Sequence, residues 1–134
     1  EDKPRYAMGL GTPPQILEMI ARGVDMFDCV MPTRVARHGM AFTLDGPVHI
    51  KNLIYAKDER PLCETSHPHV ARFSRAYIRH LFRAGEILAL RLLSFHNLHF
   101  FLRLTAGARQ AIREGNFLEF KESFIRRYTQ SKSE

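Results

Sequence analysis

Residues 6–30 read YAMGLGTPPQILEMIARGVDMFDCV, and this stretch indicates the fold. Two short apolar runs, 6–11 and 24–30, have the composition of buried strands. Between them, Thr12 and Gln15 have the spacing of a helical capping box. A strand, a short helix and a second strand predict a βα unit of a parallel sheet.

The rest of the chain changes character twice. Residues 41–51 alternate around Asp45-Gly46, which predicts a hairpin. From Ala71 onward the apolar spacing becomes helical. The longest apolar run, 87–104, is interrupted by basic residues and histidines, so it predicts a buried helix rather than a membrane span.

Length and composition describe one globular domain. The chain has 134 residues, of which 45% are apolar and 25% charged. Its two cysteines exclude a disulfide framework and favour a reducing, cytoplasmic setting. The net charge is +6, and the whole excess lies after residue 62. Such asymmetry favours a polyanionic partner, nucleic acid first, although a solvated basic helical face would give the same count.

Two parallel strands alone do not form a sheet that buries both faces. We therefore expect the chain to be the carboxy-terminal part of a larger α/β protein. The alternative is a small α+β domain in which a hairpin packs on a helical bundle.

Asp28 is the main candidate for chemistry. It ends an apolar strand, in the place where α/β barrels put catalytic groups, and it can serve there as a nucleophile, a base or a metal ligand. The alternative is a carboxylate that only satisfies backbone donors at the strand end. Asp25, three residues earlier, falls on the opposite face of the strand and is interpreted as structural.

Residues 23–34, GVDMFDCVMPTR, followed by ARHG at 36–39, resemble the signature of the tRNA-guanine transglycosylases, also called queuine tRNA-ribosyltransferases. The resemblance is strongest to bacterial members and covers essentially the whole chain. Other matching blocks are found at 6–13, 45–47, 74–78, 83–88 and 96–97.

The resemblance implies a zinc-bearing (β/α)8 TIM barrel. Residues 1–62 would be its last two βα units with an RNA-contacting loop and the hairpin, and residues 63–134 a carboxy-terminal helical subdomain with a degenerate zinc motif. Barrel strands one to six, the general acid/base and the purine-reading groups would lie upstream. The isolated segment is therefore expected to be inactive.

The implied reaction is that of a glycosyltransferase acting on tRNA. Guanine at the wobble position is exchanged for a 7-deazaguanine of the queuosine pathway. Asp28 would attack the ribose anomeric carbon and form a covalent intermediate, which the incoming base then resolves. Retaining glycosidases use a carboxylate in the same way.

The resemblance also assigns binding residues. Met8 and Gly9 match base-pocket positions, with the Met8 thioether against the purine face. Arg34 and Arg37, three apart in a loop, can present planar donor forks to the anticodon loop, unless they are ordinary surface arginines. The implied RNA-binding residues are Gly9, Leu10, Gly11, Thr12, Pro13, Pro14, Gln15, Thr33, Arg34, Val35, Ala36 and Arg37.

The metal motif departs from the family. Family members bind a structural zinc through Cys-x-Cys-x-x-Cys and a downstream histidine; His96 stands at the histidine position, but the cysteine triplet is missing. The remaining candidate ligand set is Cys63, His67, His69 and His96. We favour loss of the metal, or weak binding, over this set.

That departure leaves alternatives open. Family members form homodimers, partly through the zinc subdomain, so dimerisation here depends on this segment. One rival to an enzyme is a non-catalytic paralogue or remnant that binds RNA or a partner subunit. Another is a structural half-barrel that completes a separate amino-terminal chain.

Overall fold

The computed structural model describes residues 2–130; the outer ends of the two predicted domains, residue 1 and residues 131–134, lie outside the described residues. The chain is mixed α/β. Its elements are β1 (Tyr6–Met8), α1 (Pro13–Ala21), β2 (Met26–Asp28), α2 (Met31–Arg37), β3 (Met40–Thr43), β4 (Gly46–His49), a 3-10 turn (Leu53–Tyr55), α3 (Pro68–Ala71), α4 (Arg75–Arg83), α5 (Ile87–Arg113) and α6 (Phe117–Gln130).

The first two strands form the predicted parallel βα unit. β1 pairs with β2 in a register that sets Met8 beside Asp28, and α1 connects them. The Thr12 backbone N–H donates to Gln15 Oε1 at 3.1 Å, as the capping spacing predicts. Both strands are shorter than the apolar runs. β1 stops where Gly9 turns to a φ of +72°, a conformation that favours glycine, and the chain enters α2 directly after β2.

The predicted hairpin is also present. β3 and β4 pair antiparallel, with Thr43 opposite Gly46 across a two-residue turn. The Thr43 hydroxyl donates to the Gly46 carbonyl at 2.6 Å and is buried. The hairpin packs against α5 and α2, so it joins the strand half of the chain to the helical half.

The second half is helical, with α5 at its centre. By length and composition alone α5 would suffice to cross a membrane. Its inner side, however, is buried against protein and includes the polar side chains of His96 and Asn97. We interpret α5 as a core helix, as the interrupted apolar pattern predicted.

Asn97 holds the hairpin and α2 to this helix. Its side chain is fully buried and accepts from the Phe42 backbone N–H at 2.9 Å. Its amide group donates to the carbonyl oxygens of Pro32, at 2.9 Å, and Met40, at 3.0 Å. A single side chain therefore satisfies three buried backbone groups from two elements.

Candidate active site

Asp28 lies at the carboxyl end of β2 on the open face of the two-stranded sheet. Alternation along the strands sets Tyr6, Met8, Met26 and Asp28 on this face, and all of them are exposed. Ala7 and Phe27 point the other way, toward the helices. The side chain of Met8 is 75% exposed, so a flat ligand can reach both it and the carboxylate.

Tyr6 is a member of this face that the sequence did not single out. A hydrogen bond to Asp28 raises the pKa of the Tyr6 hydroxyl, and the negative charge of Asp28 raises it further. The two residues come from adjacent strands and are two register positions apart, which only the strand pairing reveals. Tyr6 is thus a hydrogen-bond donor beside the candidate nucleophile.

Asp25 behaves as the sequence predicted. It faces away from Asp28, and its Oδ2 accepts from the Arg5 backbone N–H at 2.8 Å. That bond fixes the start of β1 against the start of β2. Asp25 is therefore a structural carboxylate.

The turn after β1 runs close against the residue that follows Asp28. A Cβ placed on Gly11 would lie 2.5 Å from Cys29 Sγ, so this position has no room for a side chain. The Cys29 sulfur in turn accepts from the Met31 backbone N–H at 3.3 Å. Part of the implied RNA-binding stretch 9–15 is thereby packed onto the strand end that carries Asp28.

Residues 33–37 form a helix, which corrects the prediction that Arg34 and Arg37 lie in a loop. Pro32 stands in the first turn of α2, where its missing N–H costs nothing, and the Arg34 N–H donates to the Val30 carbonyl at 2.9 Å. The Thr33 hydroxyl donates to the same carbonyl. The proline in the first turn and these two hydrogen bonds to the Val30 carbonyl therefore favour a helix over a loop.

Within this helix the implied RNA-binding residues separate into two groups. Arg34 and Arg37 are exposed, one turn apart, and neither guanidinium has an ion pair or hydrogen bond within residues 2–130. Ala36 is fully buried and Val35 packs against the core, so these two support the helix.

A cavity of about 460 Å³ lies on the other side of β2, between the strand and α5. Phe27, Cys29, Leu98 and Leu102 contribute to its lining, and Asp28 does not. The face that carries Asp28 is open, and its carboxylate is exposed.

The proposed metal set does not form. Among the described residues, no three His, Cys, Asp or Glu side chains are arranged to hold a metal ion. His96 is buried, and its Nε2 lies 2.7 Å from the Phe42 carbonyl oxygen while its Nδ1 lies 3.2 Å from Ser66 Oγ. Both ring nitrogens therefore already have partners, and burial lowers the pKa of His96, which favours the neutral ring.

The other three candidate ligands contact nearby residues of the same loop. Cys63 is buried, with its sulfur 3.4 Å from the Thr65 hydroxyl. His67 Nδ1 accepts from the His69 backbone N–H at 3.2 Å, and the two rings stack with centroids 5.0 Å apart. The candidate set Cys63, His67, His69 and His96 is therefore not arranged as a metal site in the described residues, and hydrogen bonding and stacking occupy these side chains instead.

Two ion-pair networks were not apparent from the sequence. Asp58 pairs with Arg60 at 2.8 Å and with Arg75 at 3.3 Å, and the hydrogen bond from Arg60 lowers the pKa of Asp58 to about 2. Arg127 of α6 pairs with Asp45 of the hairpin turn and with Glu64. Arg60 is two positions from Asp58, but the other partners lie 17 to 82 positions apart and have no local signal.

An exposed strand-end carboxylate, a hydroxyl donor beside it and two exposed arginines on the following helix form one candidate site at the carboxyl end of β2. The family model for queuine tRNA-ribosyltransferase matches residues 1–130. The chain therefore belongs to the queuine tRNA-ribosyltransferase family, as the sequence signature indicated.

Curated relatives agree with this membership. Proteins named queuine tRNA-ribosyltransferase are 55% identical over 129 residues in Caulobacter vibrioides and 53% over 129 residues in Fusobacterium nucleatum. A third, from Caldanaerobacter subterraneus, is 50% identical over 134 residues. These matches cover 96%, 96% and 99% of this chain but only 35%, 35% and 36% of the relatives. The chain thus spans about a third of their length, as a carboxy-terminal portion.

Proposed function

We propose that this chain supplies the nucleophile and part of the RNA-binding surface of a bacterial-type tRNA-guanine transglycosylase. In this proposal guanine at the wobble position of a tRNA is exchanged for a 7-deazaguanine. The observation that carries it is the exposed Asp28 carboxylate beside Tyr6 and Met8, within a chain that belongs to the family.

The proposed chemistry is a double displacement at the ribose. An Asp28 oxygen attacks C1′ as the bond from C1′ to the guanine nitrogen breaks, and guanine leaves with that electron pair. The incoming base then attacks C1′ through its ring nitrogen, which gives up its proton, and the bond to Asp28 breaks with its electron pair returning to the carboxylate. A carboxylate suits both steps, because it is a nucleophile toward an oxocarbenium-like carbon and a good leaving group from it.

The remaining side chains of the open face are suited to orienting the substrate. Met8 offers a polarisable surface for a purine ring, and the Tyr6 hydroxyl donates to Asp28 when the carboxylate is free. Proton donors for the leaving guanine and groups that read its edge are not assigned to this chain. We assign them to the rest of the family's barrel.

RNA binding is proposed for the two unpaired arginines of α2 and the turn after β1. Arg34 and Arg37 lie one turn apart and exposed on a helix that begins three residues after Asp28. A planar guanidinium suits bidentate contacts to base edges and phosphates. The basic excess of residues 63–134 adds a salt-sensitive attraction to the same polyanion.

The proposed partners follow from the open sheet. A two-stranded parallel sheet with an exposed apolar face is incomplete on physical grounds, and strands one to six of a (β/α)8 barrel would cover it. We also propose a homodimer for the complete enzyme. Because Cys29 and Cys63 are both free thiols, the proposed location is the cytoplasm.

The test uses a chimera of this chain with the amino-terminal two-thirds of the Caulobacter vibrioides relative. The chimera is incubated with tRNA and the covalent protein–RNA species is detected on a denaturing gel. We expect the adduct with the unchanged chain, its loss in Asp28→Asn, and its retention in the matched control Asp25→Asn. Chain 1–134 alone is expected to give no adduct and no base exchange.

Three other outcomes would contradict the proposal or support one of its alternatives. An adduct that survives Asp28→Asn removes the proposed nucleophile. A folded chimera that binds tRNA without forming any adduct supports the rival, in which the chain belongs to a non-catalytic RNA-binding protein. Adduct formation when the amino-terminal portion is added as a separate chain would support the half-barrel alternative.

A further inference from the structure

The segment that corresponds to the family's metal loop is held at three points by contacts that need no ion. At its start, Arg75 donates to the carbonyl oxygens of Pro61 and Leu62, at 3.0 and 2.9 Å, and pairs with Asp58. At its end, Val70 is 1% exposed within the helical core. The middle of the segment is fastened by Ser66.

Ser66 links this segment to the buried histidine. The Cys63 backbone N–H donates to Ser66 Oγ at 3.1 Å, which leaves the hydroxyl proton of Ser66 free to donate to His96 Nδ1, 3.2 Å away. On the other side of the ring, the carbonyl oxygen of Phe42 can only accept. His96 Nε2 must therefore carry the proton in that 2.7 Å bond.

In this chain of hydrogen bonds every donor has an acceptor, and the His96 ring is neutral. Each polar atom from the Cys63 N–H to the Phe42 carbonyl has one partner of the right kind, and no buried side-chain nitrogen or oxygen in the described part of the chain is left without a partner. A metal ion at His96 would have to displace either Ser66 or Phe42. Since Thr65 contacts Cys63 and His69 contacts His67, each further ligand would have to give up an existing contact as well.

We infer that the relay Cys63 N–H to Ser66 to His96 to Phe42 replaces the structural zinc of the family, so that this subdomain folds without a metal. The relay ties together the same kinds of element that a metal would, namely a loop and the central helix, and adds the hairpin. The folding free energy that a structural zinc provides comes here from the relay and from buried Leu62 and Val70.

The first test is metal content and chelator sensitivity of the purified full chain, expressed in zinc-supplemented medium. Elemental analysis is expected to find far less than one zinc per chain, and the melting temperature is expected to be the same with and without a strong chelator. About one zinc per chain, or a melting temperature that falls in chelator, would overturn the inference.

The second test addresses the relay itself. Ser66→Ala is expected to lower the melting temperature by about 6–12 °C, since it leaves His96 Nδ1 and the Cys63 N–H without a partner. The matched control Ser123→Ala removes an exposed hydroxyl on α6 and is expected to change it little. Equal effects of the two substitutions would contradict the relay. If Ser66→Ala does not fold, Ser66→Thr, which keeps the hydroxyl, must fold.

A spectroscopic signature separates the relay from a merely packed histidine. Nitrogen-15 chemical shifts of His96 are expected to report a neutral ring with the proton on Nε2 in the unchanged chain. A proton on Nδ1, or a ring whose shifts change on addition of zinc, would overturn the donor order.

Discussion

Replacing Asn97 by alanine tests how the candidate site is supported. The side chain is fully buried and makes three hydrogen bonds, one accepted from Phe42 N–H and two donated to the carbonyls of Pro32 and Met40. Asn97→Ala removes all three hydrogen bonds at once. Because Pro32 belongs to α2, the change acts on the helix that carries the exposed arginines.

The expected loss of stability can be worked from these bonds. Each buried backbone group that loses its partner costs about 1–3 kcal/mol, and the three groups together cost about 3–5 kcal/mol when partial relaxation is allowed. For a chain of this size that loss lowers the melting temperature by about 10–20 °C. Asn97→Asp keeps the acceptor for Phe42 N–H but sets carboxylate oxygen against two carbonyls, so it is also expected to destabilise.

The assay is urea unfolding of the full chain followed by circular dichroism, with the slope of free energy against urea as a check on two-state behaviour. The matched control is Gln110→Ala on the same helix, whose exposed amide donates only to Glu114. It is expected to change the free energy of unfolding by about 0.5 kcal/mol or less. A loss below about 1 kcal/mol for Asn97→Ala, or equal losses for both variants, would refute the reasoning.

Three further predictions concern a charge, a close contact and the RNA surface. Because its folded pKa is about 2 against an ordinary 3.8, ionised Asp58 stabilises the fold above about pH 4, and this stabilisation is lost as pH falls toward 2; Asp58→Asn should flatten that part of a pH–stability profile. Gly11→Ala should cost about 1–3 kcal/mol in urea unfolding, because the added Cβ would lie 2.5 Å from Cys29 Sγ and 2.8 Å from Cys29 Cβ; Cys29→Gly in the same chain removes both atoms and should recover part of the loss, whereas an unrelieved loss would deny the contact. Arg34→Ala and Arg37→Ala should each weaken tRNA binding by the chimera and reduce its salt slope by about 1, with unchanged melting temperature; a salt slope equal to that of the parent would count against phosphate contact.

The strand half of the fold was predictable because its signals are local. Alternating apolar runs, a capping pair and an Asp-Gly turn specify β1, α1, β2 and the hairpin with few competing structures. The boundaries were less predictable. The apolar run 24–30 continues past Asp28, but Cys29 and Val30 already lead into α2, where Pro32 favours the first helical turn.

Residues of the candidate site could be predicted only where the local sequence marks them. Asp28 was identified from its position at a strand end, whereas Tyr6 was missed because its nearness to Asp28 depends on strand register. From the sequence, His96 was interpreted only as a candidate metal ligand. Its actual partners, Ser66 and Phe42, lie 30 and 54 positions away, and nothing in their local sequence indicates the contact.

The neighbouring roles of His96 and Asn97 bear on the choice between an enzyme and a non-catalytic remnant. Both side chains reach Phe42, but only Asn97 reaches Pro32 and hence the helix that follows Asp28. The bonds from Asn97 to Pro32 and Met40 therefore do not pass through the loop in which the metal motif is altered, although both networks meet at Phe42. Under the two proposals made above, loss of the metal leaves the surroundings of Asp28 unchanged. We accordingly expect Ser66→Ala to lower the stability of the chimera while leaving the Asp28-dependent adduct intact, and an adduct lost with Ser66→Ala in the folded chimera would show that the two regions are coupled.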